Sequence, residues 1–117
     1  MHDLSNYEKD IRPWGNYERF TLNEKSTVKI INIKPEATLS LQTHEHREEF
    51  WHIISGSGTI TLQDKTYEAN VGDEFFIETG MVHRAESGVD GMQLLEIAFG
   101  AFDEGDIKRL EDKYGRA

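Results

Sequence analysis

The chain contains no cysteine and only two prolines among its 117 residues. Without thiols, neither a disulfide framework nor a thiolate metal site is possible, and the composition fits a reducing compartment. Basic residues are scarce. There are 13 Lys and Arg against 22 Asp and Glu, a formal net charge of −9. A surface of that sign lacks the cationic footprint that nucleic acid requires, so no nucleic-acid partner is expected. A phosphate site has to be a local cluster of cations acting against the overall field. Long apolar runs are missing too. Residues 1–15 hold none of signal-peptide type, and no stretch approaches the length of a membrane span. A cytoplasmic protein with no membrane partner is the expectation.

What is present is a series of short runs rich in Ile, Val, Thr and Phe, at Thr27–Ile33, 38–42, 49–54, 59–63, 74–78 and 92–99. Turn residues separate them, among them Lys34-Pro35, Ser55-Gly56-Ser57-Gly58, Asn70-Val71-Gly72-Asp73 and Thr79-Gly80. Strands spaced this regularly predict an all-β sandwich or barrel. Near the N-terminus, Pro13 disfavours helix at Arg12 and Gly15 suggests a turn. In the tail, Ile107, Leu110 and Tyr114 fall at helical spacing, with Asp103 as an N-cap and Gly115 as a stop. The expected plan is one domain over 1–117, with an arm at 1–26, a barrel core at 27–99 and an amphipathic helix at 103–114.

Residues two apart on a strand share a face. Gln42 and His44 therefore project together, and Glu49 opens the next strand, where its carboxylate can return to the pair. His83 follows another strand and a glycine turn. Two imidazoles, a carboxylate and an amide oxygen suit a borderline divalent ion with positions left for water or substrate. On its own, a His-x-His pair in an acidic loop is more often solvated surface. Leu39 and Leu41 alternate with Ser40 and Gln42, so an inward Gln42 turns the leucines outward, to be covered by the N-terminal segment, the helix or a second subunit.

These residues resemble the two motifs of the cupin superfamily. The first is Gly, five residues, His-x-His, three or four residues, Glu, six residues, Gly. Here Glu36 stands at the first glycine, followed at matching intervals by Gln42-x-His44, Glu49 and Gly56. The second is Gly, five residues, Pro-x-Gly, two residues, His, three residues, Asn. Here it reads Gly72, Glu78-x-Gly80, His83 and Ser87, again with every interval kept. The match over both halves makes Gln42, His44, Glu49 and His83 the expected metal ligands and leaves His46 outside the set. Gln in place of the first His is the pattern of phosphomannose isomerases. From about Arg12 to Arg116 the chain is similar to the C-terminal isomerase domain of the type II phosphomannose isomerase/mannose-1-phosphate guanylyltransferases. The shared residues include Arg12-Pro-Trp-Gly, Val28-Lys29, Leu39-Ser-Leu-Gln, His46-Arg47, His83-Arg84 and the tail 105–116. The family usually has a basic residue at Ile30, Ala at Glu48 and His at Phe50, and those positions depart from it. Nothing in the sequence matches a nucleotidyltransferase, so guanylyltransferase activity is not expected of it.

The resemblance implies a cupin jelly-roll barrel that interconverts mannose 6-phosphate and fructose 6-phosphate through an enediolate. It implies one divalent ion, zinc first, with manganese, iron, cobalt or nickel compatible. His46, Lys29 and Arg47 are the candidates for catalysis. Arg47, Arg84 and Arg12 are the candidates for phosphate, with Arg116 a further one, since a guanidinium fork matches phosphate geometry. Trp14 and Trp51 read as core or lid residues. A homodimer is expected from the leucine face and from cupin habit. Two other readings stay open: a non-catalytic metal-holding cupin that binds a sugar or small carboxylate, and a metal-dependent oxygenase. Replacing His44 or His83 with Ala is expected to abolish stoichiometric metal binding while leaving a folded barrel, as read by elemental analysis beside circular dichroism.

Overall fold

The structure is a computed structural model that describes residues 4–115. Its strands are β1 (Glu8–Arg12), β2 (Gly15–Arg19), β3 (Thr27–Ile33), β4 (Leu41–Thr43), β5 (Arg47–Leu62), β6 (Lys65–Asn70), β7 (Glu74–Ile77), β8 (His83–Gly100) and β9 (Lys108–Glu111). The expected all-β fold is present, and all pairing is antiparallel.

Two long strands organise the barrel. The 16 residues of β5 and the 18 of β8 pair along nearly their whole length, from Arg47↔Gly100 to Leu62↔His83. Their register shifts between Ile53 and Ser55 and again between Gly56 and Gly58. Such bulges bend a strand and sharpen its twist. Each long strand thus serves both walls. The first half of β5 and the second half of β8 pair with β7 and β3, and the remaining halves pair with β6 and β4. The bend requires glycine. Gly56 has φ +76°, and a Cβ there would stand 2.1 Å from the Gly91 carbonyl oxygen.

The two-residue period of β5 and β8 divides their side chains between two clusters. Trp51, Ile53, Ala85, Met92 and Leu94 join Ile33, Ile60, Ala69 and Ile77 inside the barrel. Phe50, Ile97 and Phe99 face the other way and are covered by Leu4, Phe20, Phe76 and Leu95. The hairpin of β1 and β2 turns at Pro13-Trp14, so Gly15 stands at the turn as expected. Trp51 is a core residue, but Trp14 sits at the hairpin tip with 73 % of its surface exposed.

The tail corrects the predicted helix over 103–114. Among the described residues there is no helix, and therefore none long and apolar enough to cross a membrane. The backbone of Lys108–Glu111 instead pairs with β4, meeting hydrogen-bonding groups that a three-residue edge strand would otherwise leave open. Asp103 accepts from the Gly105 amide in a turn rather than capping a helix. Leu110 and Tyr114, two of the three residues that gave the helical spacing, are largely exposed. The leucine alternation is corrected too. Leu39 packs against the inner core, because residues 39–40 lie outside any strand and the register slips between Leu41 and Gln42.

Glu36 stands where the first motif has glycine and adopts φ +57°. The left-handed region costs an L side chain roughly 1–2 kcal/mol. Glu36→Gly is therefore expected to stabilise the fold by about 1 kcal/mol in denaturant unfolding, the left-handed cost less the extra unfolded-chain entropy of glycine.

Candidate metal centre and its cavity

β4, β5, β8 and the tail converge on a cavity of about 120 Å³ between the two walls of the barrel. Gln42, His44, Glu49 and His83 all line it. Gln42 is placed directly across from His83 by the β4–β8 pairing. Ligand atoms of His44, Glu49 and His83 lie within 4.8 Å of one another, and all three residues are buried. His44 Nε2 is 3.5 Å from Glu49 Oε2, and His83 Nε2 is 3.7 Å from Glu49 Oε1.

Backbone carbonyls aim both imidazoles. His44 Nδ1 donates to the Asp106 carbonyl at 2.6 Å, and His83 Nδ1 donates to the Met81 carbonyl at 2.9 Å. A carbonyl only accepts, so each Nδ1 carries the hydrogen and each Nε2 presents its lone pair to the cavity. Burial holds the His83 pKa below its ordinary value, opposed by the Met81 carbonyl and Glu49, which favours the neutral ring that a metal needs. Asp106 does a second job. Its carboxylate accepts from the amides of Glu45 and His46 at 3.0 and 2.9 Å, fixing the loop between His44 and Glu49. Those two bonds, the Glu45 amide foremost, hold its pKa low.

The donor set fits a divalent ion. Glu49 Oε1 and His83 Nε2 are buried and have no hydrogen-bond partner among the described residues. The Gln42 amide nitrogen donates to the Ser40 carbonyl and hydroxyl at 3.3 and 3.1 Å, leaving its oxygen for another partner. With nitrogen and oxygen donors alone, zinc, manganese, iron, cobalt and nickel are all compatible.

Of the other expected residues, Arg47 and Lys29 line the cavity. Arg47 is buried and donates to Glu49 Oε2 at 2.9 Å and to the Asp103 carbonyl at 3.1 Å. Its Nη2 lies 3.3 Å from His44 Nε2, so Arg47 and a metal compete for that lone pair. Lys29 Nζ stands 3.5 Å from Glu96 and 3.4 Å from Glu104. Phe102 lies against both cations, its ring centroid 4.4 Å from the Arg47 guanidinium carbon and 5.0 Å from Lys29 Nζ. The others are elsewhere. His46 is exposed and does not line the cavity. Arg84 is bonded to the Leu39 carbonyl and to Glu111. Arg12 is at the hairpin and paired with Asp10. Arg116 lies outside the described residues.

Glu96 and Arg109 also line the cavity, and sequence reasoning passed over both. Arg109 was hidden by the helical reading of the tail. Glu96 lay inside an apolar strand, where a lone acid at the parity of Leu94 and Ala98 was the available signal. Burial foremost, with the nearby Glu49 charge, raises the Glu96 pKa to about 7, against the opposing pull of Lys29 and the Trp51 indole.

Comparison with known proteins follows the same outline. The family model described as mannose-6-phosphate isomerase C-terminal matches residues 1–112. The chain is 39 % identical over 116 residues to the alginate biosynthesis protein AlgA of Pseudomonas aeruginosa, covering 97 % of this chain and 24 % of that protein. It is 35 % identical over 117 residues to a mannose-1-phosphate guanylyltransferase of Salmonella montevideo, covering 98 % and 25 %. It thus spans about a quarter of the curated relatives it matches. Oxalate decarboxylase from Bacillus subtilis superposes with a TM-score of 0.68 at 20 % identity, over 92 % of this chain and 31 % of that one. The fold is a double-stranded β-helix of the cupin type.

A raised carboxyl pKa means that the native state keeps a proton the unfolded chain has released. The Glu96 contribution to stability is complete below the unfolded value of 4.5 and is lost as pH rises through about 7. Glu96→Gln is expected to flatten that decline, so the variant gains stability over the wild type between about pH 5 and about pH 8 in denaturant unfolding of metal-free protein.

Proposed function

The chain belongs to the mannose-6-phosphate isomerase C-terminal family, and from that premise we propose that it is a metal-dependent aldose–ketose isomerase acting on mannose 6-phosphate and fructose 6-phosphate. One observation carries the reading. Two imidazoles aimed by backbone carbonyls and a buried carboxylate held by Arg47 face a small polar cavity whose other walls bear Lys29, Arg47 and Arg109.

The reaction takes a proton from the carbon beside a carbonyl and returns it to the neighbouring carbon, with negative charge passing between two adjacent oxygens. A divalent ion, with zinc our first choice, supplies Lewis-acid stabilisation of that charge when held by Gln42, His44, Glu49 and His83. The residues of the chain supply the rest. The cavity is small, at about 120 Å³. A hexose phosphate is larger, so the reacting end enters and the phosphate stays at the mouth. Arg109, whose Nε has no hydrogen-bond partner among the described residues, is the cation available to it there. Lys29 is the group at the cavity that we assign to proton transfer, because His46 stands outside the wall and Arg47 is committed to Glu49. Phe102, over Lys29 and Arg47, shields this side from water. A phosphorylated sugar substrate is consistent with a cytoplasmic setting.

The test is a coupled assay on metal-loaded protein given fructose 6-phosphate, following mannose 6-phosphate with and without chelator. Turnover that the chelator abolishes and added metal restores is expected, and Lys29→Met is expected to lower kcat by about 100-fold or more. Absence of turnover with zinc, manganese, iron, cobalt and nickel alike would make the protein a metal-holding binding module.

A further inference from the structure

Resting on that reading, we propose that Glu96 is a specificity-determining residue, its Oε2 sharing a hydrogen bond with a sugar hydroxyl other than the reacting pair. Three neighbouring strands build this part of the wall. Lys29 on β3 and Trp51 on β5 are both the direct cross-strand partners of Glu96 on β8. All three side chains line the cavity. The Trp51 indole donates to Glu96 Oε1 at 3.2 Å, which fixes the carboxylate plane and occupies one oxygen. Lys29 Nζ, at 3.5 Å from Oε2, balances the charge without a hydrogen bond. Oε2 is therefore a buried oxygen with no hydrogen-bond partner among the described residues, on a residue 3 % exposed whose carboxyl group faces that of Glu49.

The chemistry of what it takes follows from charge. Oε2 needs a partner, because a buried oxygen left unpaired is costly. A phosphate would bring anionic oxygens against two acids, Glu96 and Glu49, and Lys29 already stands beside Oε2, so a second cation is not called for. A neutral hydroxyl satisfies both conditions. The wall is rigid, since all three side chains spring from paired strands, and a hydroxyl-accepting group held in this way rejects a ligand lacking that hydroxyl far more strongly than an apolar wall can.

The experiment measures binding of mannose 6-phosphate and its 3-deoxy and 4-deoxy analogues to metal-loaded protein by calorimetry, with kcat/KM for the parent sugar. Wild-type protein is expected to bind one deoxy analogue about 10- to 100-fold more weakly than the parent, the range for leaving a buried polar group unpaired. In Glu96→Met the parent should fall to the level of that analogue. Glu96→Gln, which keeps an acceptor, should recover part of the difference. Metal content by elemental analysis should match wild type in both. Unchanged discrimination in Glu96→Met, or loss of its metal, overturns the assignment; the second result would make Glu96 a support for Glu49. Wild-type turnover together with unchanged discrimination removes this inference alone. Failure of wild-type protein to bind any hexose phosphate removes the isomerase reading and this inference with it.

Discussion

The pairing of β5 with β8 is the constraint on which the rest of the structure depends. Glu49, Trp51, His83 and Glu96 all lie on those two strands. Because the strands bend together at their register shifts, residues from one continuous ladder face each other across the barrel. The close approach of Gly56 to the Gly91 carbonyl leaves no room for a side chain at the bend. A straight ladder would spread Glu49 and His83 along one flat sheet instead of turning both toward the same small volume.

Within that volume the dominant energetic fact is two buried carboxyl groups, Glu49 and Glu96. Each has a cation beside it, Arg47 for Glu49 and Lys29 for Glu96. A buried pair of this kind is weak evidence for stability, since desolvation consumes most of the attraction. The pairs are better understood as holding two acceptors in place where apolar residues would have packed without difficulty. Arg47 shows how tightly the roles are joined. It neutralises Glu49, reaches His44 and lies against Phe102 at once, which is more than its expected service to a phosphate.

The residues that meet at the cavity were legible because the intervals between them follow strand and turn lengths. Gln42 and His44 stand two apart at the end of β4, His44 just beyond it, and the intervals to Glu49 and His83 are set by a tight loop and a glycine turn. Glu36 explains one departure from the motif: the position needs left-handed backbone, which glycine adopts freely and glutamate only at a cost. Ser87, where the motif has asparagine, bonds the Lys34 carbonyl and accepts from the Ala37 amide, tying the same turn. The tail was not legible. A spacing of three and four residues over so short a segment does not separate helix from a strand whose partner lies far off in sequence. Pairing with β4 decides the matter, and nothing local announces it. Glu96 and Arg109 reach the cavity through just such non-local pairings.

The bond from His44 to the Asp106 carbonyl spans 62 residues of sequence, and it comes from outside the β5–β8 ladder that frames the barrel. One of the two imidazoles at the cavity is thus aimed by the tail, so its orientation depends on the docking of Asp106 as well as on closure of the barrel.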